Sequence, residues 1–96
     1  MKSLQTTDVF DHLYDGLRDR QGRARIAARL RRVELGNFGD VKPVGSGVSE
    51  LRIDYGPGYR VYLTQRGLEV VILLAGGDKR TQSKDIEAAT EMAKQL

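Results

Sequence analysis

The chain contains no cysteine, so it can form neither a disulfide nor a cysteine-ligated zinc site. It has one histidine, His12, too few for a histidine-rich metal centre. No apolar run approaches the ~18 residues of a membrane span, and the first residues lack the apolar block of a signal peptide. No repeat, low-complexity tract or long linker divides the sequence. At 96 residues it is expected to be one domain, because a chain this short buries only ~60–65% of its unfolded surface around a single core. Hydrophobic residues make up 40% and charged residues 30%, which excludes a disordered, collagenous or disulfide-scaffold protein. The expectation is a single cytoplasmic domain that does not engage a membrane.

What is present in excess is arginine, and in one place. The formal net charge is only +3, yet positions 18–32 hold seven arginines (Arg18, Arg20, Arg23, Arg25, Arg29, Arg31, Arg32) against Asp19 alone. That stretch carries +6 and the remainder of the chain −3. The planar guanidinium fork suits phosphate, so the distribution is the electrostatic footprint expected of a nucleic-acid contact.

Hydrophobic spacing divides the chain into elements. Residues 2–6 read as a short strand. Thr7 or Asp8 can cap a first helix with Val9, Leu13 and Leu17 on one face and Phe10 and Tyr14 beside it. Asp19 can cap a second helix, in which Ile26, Leu30 and Val33 form the apolar stripe, Arg25, Arg29 and Arg32 run parallel one residue behind it, and Gly36 ends the element. After a loop with a short strand near residues 41–44 the period changes to two. Leu51 and Ile53 alternate with Glu50, Arg52 and Asp54, which predicts a strand with one wet face. A Tyr55-Gly56-Pro57-Gly58 turn leads to a second such strand, Tyr59, Val61 and Leu63 against Arg60, Tyr62 and Thr64. Residues 68–75 are almost uniformly apolar, as in a central strand covered on both faces, and Gly76-Gly77 ends them. Residues 83–95 form a last helix with Ile86, Ala89 and Ala93 on a thin apolar face. The order predicts an α+β domain, two N-terminal helices packed on an antiparallel sheet with a C-terminal helix.

Four cations can converge on this sheet. Arg52 and Arg60 alternate onto the wet side of neighbouring strands, and Lys79 and Arg80 follow the Gly76-Gly77 break. Such a cluster would hold a phosphodiester and stabilise charge on its oxygens during reaction. No cluster of carboxylates or histidines stands at metal-ligand spacing, so neither metal nor cofactor is expected. The alternative is structural: Arg52 and Arg60 paired with Glu50 and Asp54 on a solvated sheet, and Lys79 and Arg80 as turn residues. Tyr62 can stack a splayed base or cover the sheet under the last helix. The second-helix arginines can contact RNA or form a solvated face. His12 reads as a surface or structural histidine.

The order of elements, the segment GNFGDVKPVGSGVSELRIDYGPGYRVYL and the closing GGDKRTQSKDI resemble the RelE/ParE superfamily of bacterial toxins, in its HigB/RelE-like "addiction module killer protein" branch. The resemblance covers nearly the whole chain, with ELR on one strand, GYR on the next and GGDK after the third. It implies the toxin of a type II toxin–antitoxin pair, neutralised by a small, adjacently encoded antitoxin, of helix-turn-helix type, through which the pair binds operator DNA. RelE-like members are ribosome-dependent endoribonucleases that cut mRNA without a metal. ParE-like members poison DNA gyrase, and a third option is an inert member that serves only in the repressor complex. The resemblance implies a phosphate-contacting arginine at Arg60, basic sheet residues near Arg52 and a C-terminal active-site cation at Lys79 or Arg80. Asp54 stands where RelE is often basic, and no tyrosine follows Lys79, so general acid and base are left unassigned.

Overall fold

Two helices begin where a side chain satisfies a free N–H group of the first turn. Thr7 accepts from the Phe10 amide at the start of α1 (Asp8–Gly16), and Asp19 accepts from the Gly22 amide at the start of α2 (Arg20–Glu34). Gly36, at φ +92°, lets the chain turn away after α2. The computed structural model describes residues 1–96, and its order is β1 (Ser3–Thr6), α1, α2, β2 (Val41–Gly45), β3 (Val48–Arg52), β4 (Arg60–Arg66), β5 (Val70–Gly77), a 3₁₀ turn (Lys79–Thr81) and α3 (Gln82–Lys94). This is the expected α+β domain with two N-terminal helices and a C-terminal one. No helix is long and apolar enough to cross a membrane.

The five strands form one sheet in the order β1-β5-β4-β3-β2. β1 pairs with β5 in parallel, so the sheet is mixed and not wholly antiparallel as expected. The two-helix connection explains this, since α1 and α2 carry the chain across one face before β2 starts the antiparallel meander at the far edge.

Both faces of the sheet are covered, which corrects the expected wet face. On one side α1 and α2 enclose Phe10, Ile26, Val33, Leu51, Ile53, Tyr59, Val61, Leu63, Val71 and Leu73. On the other, α3 lays Ala89, with Ile86, Met92 and Ala93 beside it, over Val48, Tyr62, Leu74 and Ala75. The covered polar positions are Glu50, Arg60 and Tyr62, out of phase with the first core but buried by the second. Two smaller corrections concern the apolar runs. On α1 Phe10 is buried and stacks on Tyr14 at 6.0 Å, whereas Val9 is exposed. Leu68 is not core: it is 86% exposed in the β4–β5 hairpin, and β5 starts after it.

α3 approaches β5 closely because Gly77 has no side chain. A Cβ there would run into the Asp85 carboxylate and the Thr81 hydroxyl, which hydrogen-bond to each other at the head of α3.

Candidate anion-binding cleft

Arg52 closes β3, Arg60 opens β4 and Gly77 closes β5, so three strand ends meet at one edge of the sheet. Arg52 and Arg60 are direct cross-strand partners, and Arg60 lies opposite Gly77. Like charges placed opposite each other on a sheet are destabilising, so the pair needs counter-charges. Each has its own. Arg52 donates from Nη2 and Nε to Oδ1 of Asp40, at 2.8 and 3.2 Å. Arg60 Nε lies 3.8 Å from Oε1 of Glu50. Asp40 precedes β2 and faces Arg52 because Val41 pairs with Leu51. Its carboxylate holds the Arg52 guanidinium above its usual range.

The two arginines differ in burial. Arg52 is half-exposed, whereas Arg60 is 8% exposed, which corrects the expectation of a freely solvated Arg60. Arg60 Nη1 donates to the carbonyls of Gly58 and Tyr59 at 3.0 and 3.2 Å. Its Nε is buried without a hydrogen-bond partner, and Nη2 has no protein partner either. Glu50, 1% exposed, is held on its other oxygen by the Tyr62 hydroxyl (3.1 Å) and Gln82 Nε2 (2.7 Å). A hydrogen-bonded buried carboxylate therefore backs Arg60 and orients it.

These residues border an open cleft of about 310 Å³ lined by Asp40, Arg52, the segment 53–58, Arg60 and Lys79. Lys79 reaches it because Gly58, at φ +80°, leaves room for the lysine stem, whose carbons stand 3.0–3.3 Å from where a Cβ would be. The structure thus brings together Arg52, Arg60 and Lys79, although 27 positions separate the first from the last. Arg80 does not line the cleft. It is exposed and paired with Asp78 at 3.2 Å, which raises the arginine and lowers the aspartate from their ordinary values.

Tyr62 is completely buried under α3, with its hydroxyl on Glu50, so it covers the sheet and cannot stack a base. Burial, reinforced by Glu50, holds its hydroxyl well above the usual tyrosine range. The α2 arginines divide in two. Arg29 is a structural bolt rather than an RNA contact: its guanidinium donates to the carbonyls of Arg52, Phe38 (2.9 Å) and Asp40 (3.3 Å), and burial lowers its pKa. Arg25 and Arg32 are exposed, with Arg25 lying 4.8 Å over the Tyr55 ring. Arg25, Arg29 and Arg32 border a second cleft of about 220 Å³, which shares Ile53 and Asp54 with the first. His12 lines neither cleft.

Sequence reading missed Asp40 as the partner of Arg52 and Gln82 as the brace on Glu50; it offered Glu50 as an arginine partner, but on a solvated sheet rather than a covered one. Asp40 was accessible in principle, through the β2–β3 register. The burial of Glu50 was not, because it depends on where α3 docks. No three His, Cys, Asp or Glu side chains stand close enough together to hold a metal ion.

The fold and cleft define a small α+β domain that gathers three cations in an open cleft at the ends of its inner strands. No protein-family model matches the chain. It is 50% identical over 93 residues to an uncharacterized protein of Haemophilus influenzae, an alignment that covers 97% of this chain and 94% of that protein. The chain belongs to that protein's family.

Proposed function

We propose that this protein is the toxin of a type II toxin–antitoxin pair, a HigB/RelE-like member of the RelE/ParE superfamily that cleaves mRNA on the ribosome. The observation that carries the reading is the cleft itself, where Arg52, Arg60 and Lys79 converge from three elements and a buried carboxylate holds the Arg60 guanidinium in place. Three cations around one phosphodiester supply what cleavage through the 2′-hydroxyl needs most, neutralisation of the charge that grows on the phosphoryl oxygens. The reaction requires no metal, because the nucleophile is part of the substrate. The ribosome would hold the mRNA in line, which leaves a small protein with an open cleft little positioning to do. Arg25 and Arg32 extend the cationic surface along α2 and suit further phosphate contacts. A small antitoxin, of helix-turn-helix type and encoded adjacently, would neutralise the toxin and carry the pair to operator DNA.

The test is induced expression of the chain with and without its neighbouring reading frame, followed by mapping of mRNA ends. Growth arrest with cuts inside translated codons, relieved by the neighbour, is the expected result. Growth arrest with DNA damage and intact mRNA would replace the nuclease with a gyrase poison. Absence of arrest would leave only a repressor component.

A further inference from the structure

Proton transfer is the part of this chemistry that the three cations do not supply. The cleft holds two carboxylates, and one is already engaged, since Asp40 Oδ1 accepts both bonds from Arg52. The cleft's phenol is engaged as well, because Tyr55 donates to Oε1 of Gln21 at 3.2 Å. Asp54 forms no ion pair with a neighbouring cation, and it stands just before the Tyr55–Gly58 turn, which the Gly58 amide closes onto the Tyr55 carbonyl. Asp54 is exposed and is the one residue with a free carboxylate common to both clefts. It shares the first cleft with Arg52, Arg60 and Lys79, where Asp40 is held on Arg52, and the second with Arg25, Arg29 and Arg32, where Arg29 is held on backbone carbonyls.

We infer that Asp54 is the general base of the cleft, the group that takes the proton from the ribose 2′-hydroxyl next to the scissile phosphate. The inference rests on the ribonuclease reading above. A strand lying across both clefts has cations on either side of Asp54, so a ribose there lies between two held phosphates. The carboxylate accepts the 2′-hydroxyl proton as the 2′-oxygen bonds to phosphorus. The bond from phosphorus to the 5′-oxygen then breaks, its electron pair leaves with that oxygen, and the Lys79 ammonium protonates it. The products are a 2′,3′-cyclic phosphate and a 5′-hydroxyl. Solvent takes the proton from Asp54 and returns one to Lys79.

The experiment compares wild type, Asp54→Asn and Asp54→Glu in single-turnover cleavage of mRNA on programmed ribosomes across a range of pH. Affinity is measured in parallel for an mRNA carrying 2′-deoxyribose at the cleavage position, which binds but cannot react. Asp54→Asn should cleave about 100- to 10,000-fold more slowly, the usual worth of general acid–base catalysis. It should bind the deoxy mRNA at least as tightly as wild type, because a negative charge has left a cationic cleft. The rise of wild-type rate with pH should flatten in Asp54→Asn, and Asp54→Glu should recover at least tenfold of the loss. If Asp54→Asn cleaves within about threefold of wild type with the same pH profile, Asp54 is not the base and the ribonuclease reading stands. A loss of cleavage matched by an equal loss of affinity for the deoxy mRNA also overturns the assignment, in favour of a binding role. If wild type itself cleaves no mRNA, the ribonuclease reading falls and the assignment with it.

Discussion

Arg60 carries the most conflicting demands of any residue in the chain. It must be buried to fit beneath α3, charged to serve the cleft, and tolerated directly opposite Arg52. Glu50 meets all three demands. Its carboxylate neutralises the buried guanidinium, while Tyr62 and Gln82 occupy its second oxygen. Arg60→Ala is consequently a poor test of function, since it strands a buried carboxylate and should cost about 3–5 kcal/mol of stability in denaturant unfolding. Arg60→Lys keeps the charge and loses the fork. It should melt closer to wild type and still bind a phosphate-containing ligand about 10- to 100-fold more weakly, the worth of a charge-assisted hydrogen bond. Wild-type affinity in Arg60→Lys, measured by calorimetry with a short deoxy-substituted RNA, would take Arg60 out of the site.

At the scale of the element, α2 combines two tasks on adjacent faces. Arg29 reaches inward and fastens the α2–β2 loop and the end of β3 through three backbone carbonyls, whereas Arg25 and Arg32 remain exposed. Replacing all three arginines together would confuse folding with binding. Arg29→Gln alone should lower stability by about 1–3 kcal/mol, read by denaturant unfolding, because the carbonyls lose a charged donor. The pair Arg25→Gln and Arg32→Gln should unfold nearly as wild type and flatten the salt dependence of ribosome binding by about one log–log unit per lost phosphate contact. An unchanged salt slope would make that face a solvated one. The N-terminus of α2 adds a pH dependence. Asp19 accepts from the Gly22 amide and from the Tyr59 hydroxyl at 2.8 Å, which holds its carboxyl below the usual range. Burial, with Asp19 second, pushes Tyr59 up to about 12. The depressed Asp19 contributes stability that is present above the ordinary value of 3.8 and is lost as pH falls through the folded one. The raised Tyr59 contributes stability that is present below 10.0 and is lost as pH rises towards about 12. Melting curves against pH should show the acid limb shrink in Asp19→Asn, which still caps the helix, and the alkaline limb shrink in Tyr59→Phe down to what Tyr62 contributes.

For the whole molecule, local pattern was a good guide to what lies along the chain and a poor one to what lies across it. The caps Thr7 and Asp19, the Gly36 stop, the period-two strands and the thin α3 face were all legible, because each depends on neighbours within a turn or two. The parallel β1–β5 pairing, the burial of Arg60 and the Asp40–Arg52 pair were not, and Tyr62 was left open between a base platform and a cover for the sheet, because each depends on which element packs where. The cationic cluster was legible as a list of residues, and Glu50 as a partner on a wet sheet; Asp40 as a partner and the burial of Glu50 were not. That division also says where the molecule should yield first. The α1/α2 face rests on ten buried apolar residues and the α3 face on five, of which α3 supplies only Ala89. Opening of α3 should therefore cost less than global unfolding, and hydrogen exchange should show its amides released before those of β4 and β5. Because Gln82 lies on α3 and holds Glu50, that opening also loosens the carboxylate behind Arg60. Gln82→Ala should speed α3 exchange with little effect on β4 and β5, and it should weaken binding at the cleft through Arg60 alone. Equal protection across α3 and the central strands would instead mean that the two faces of the sheet open as one unit.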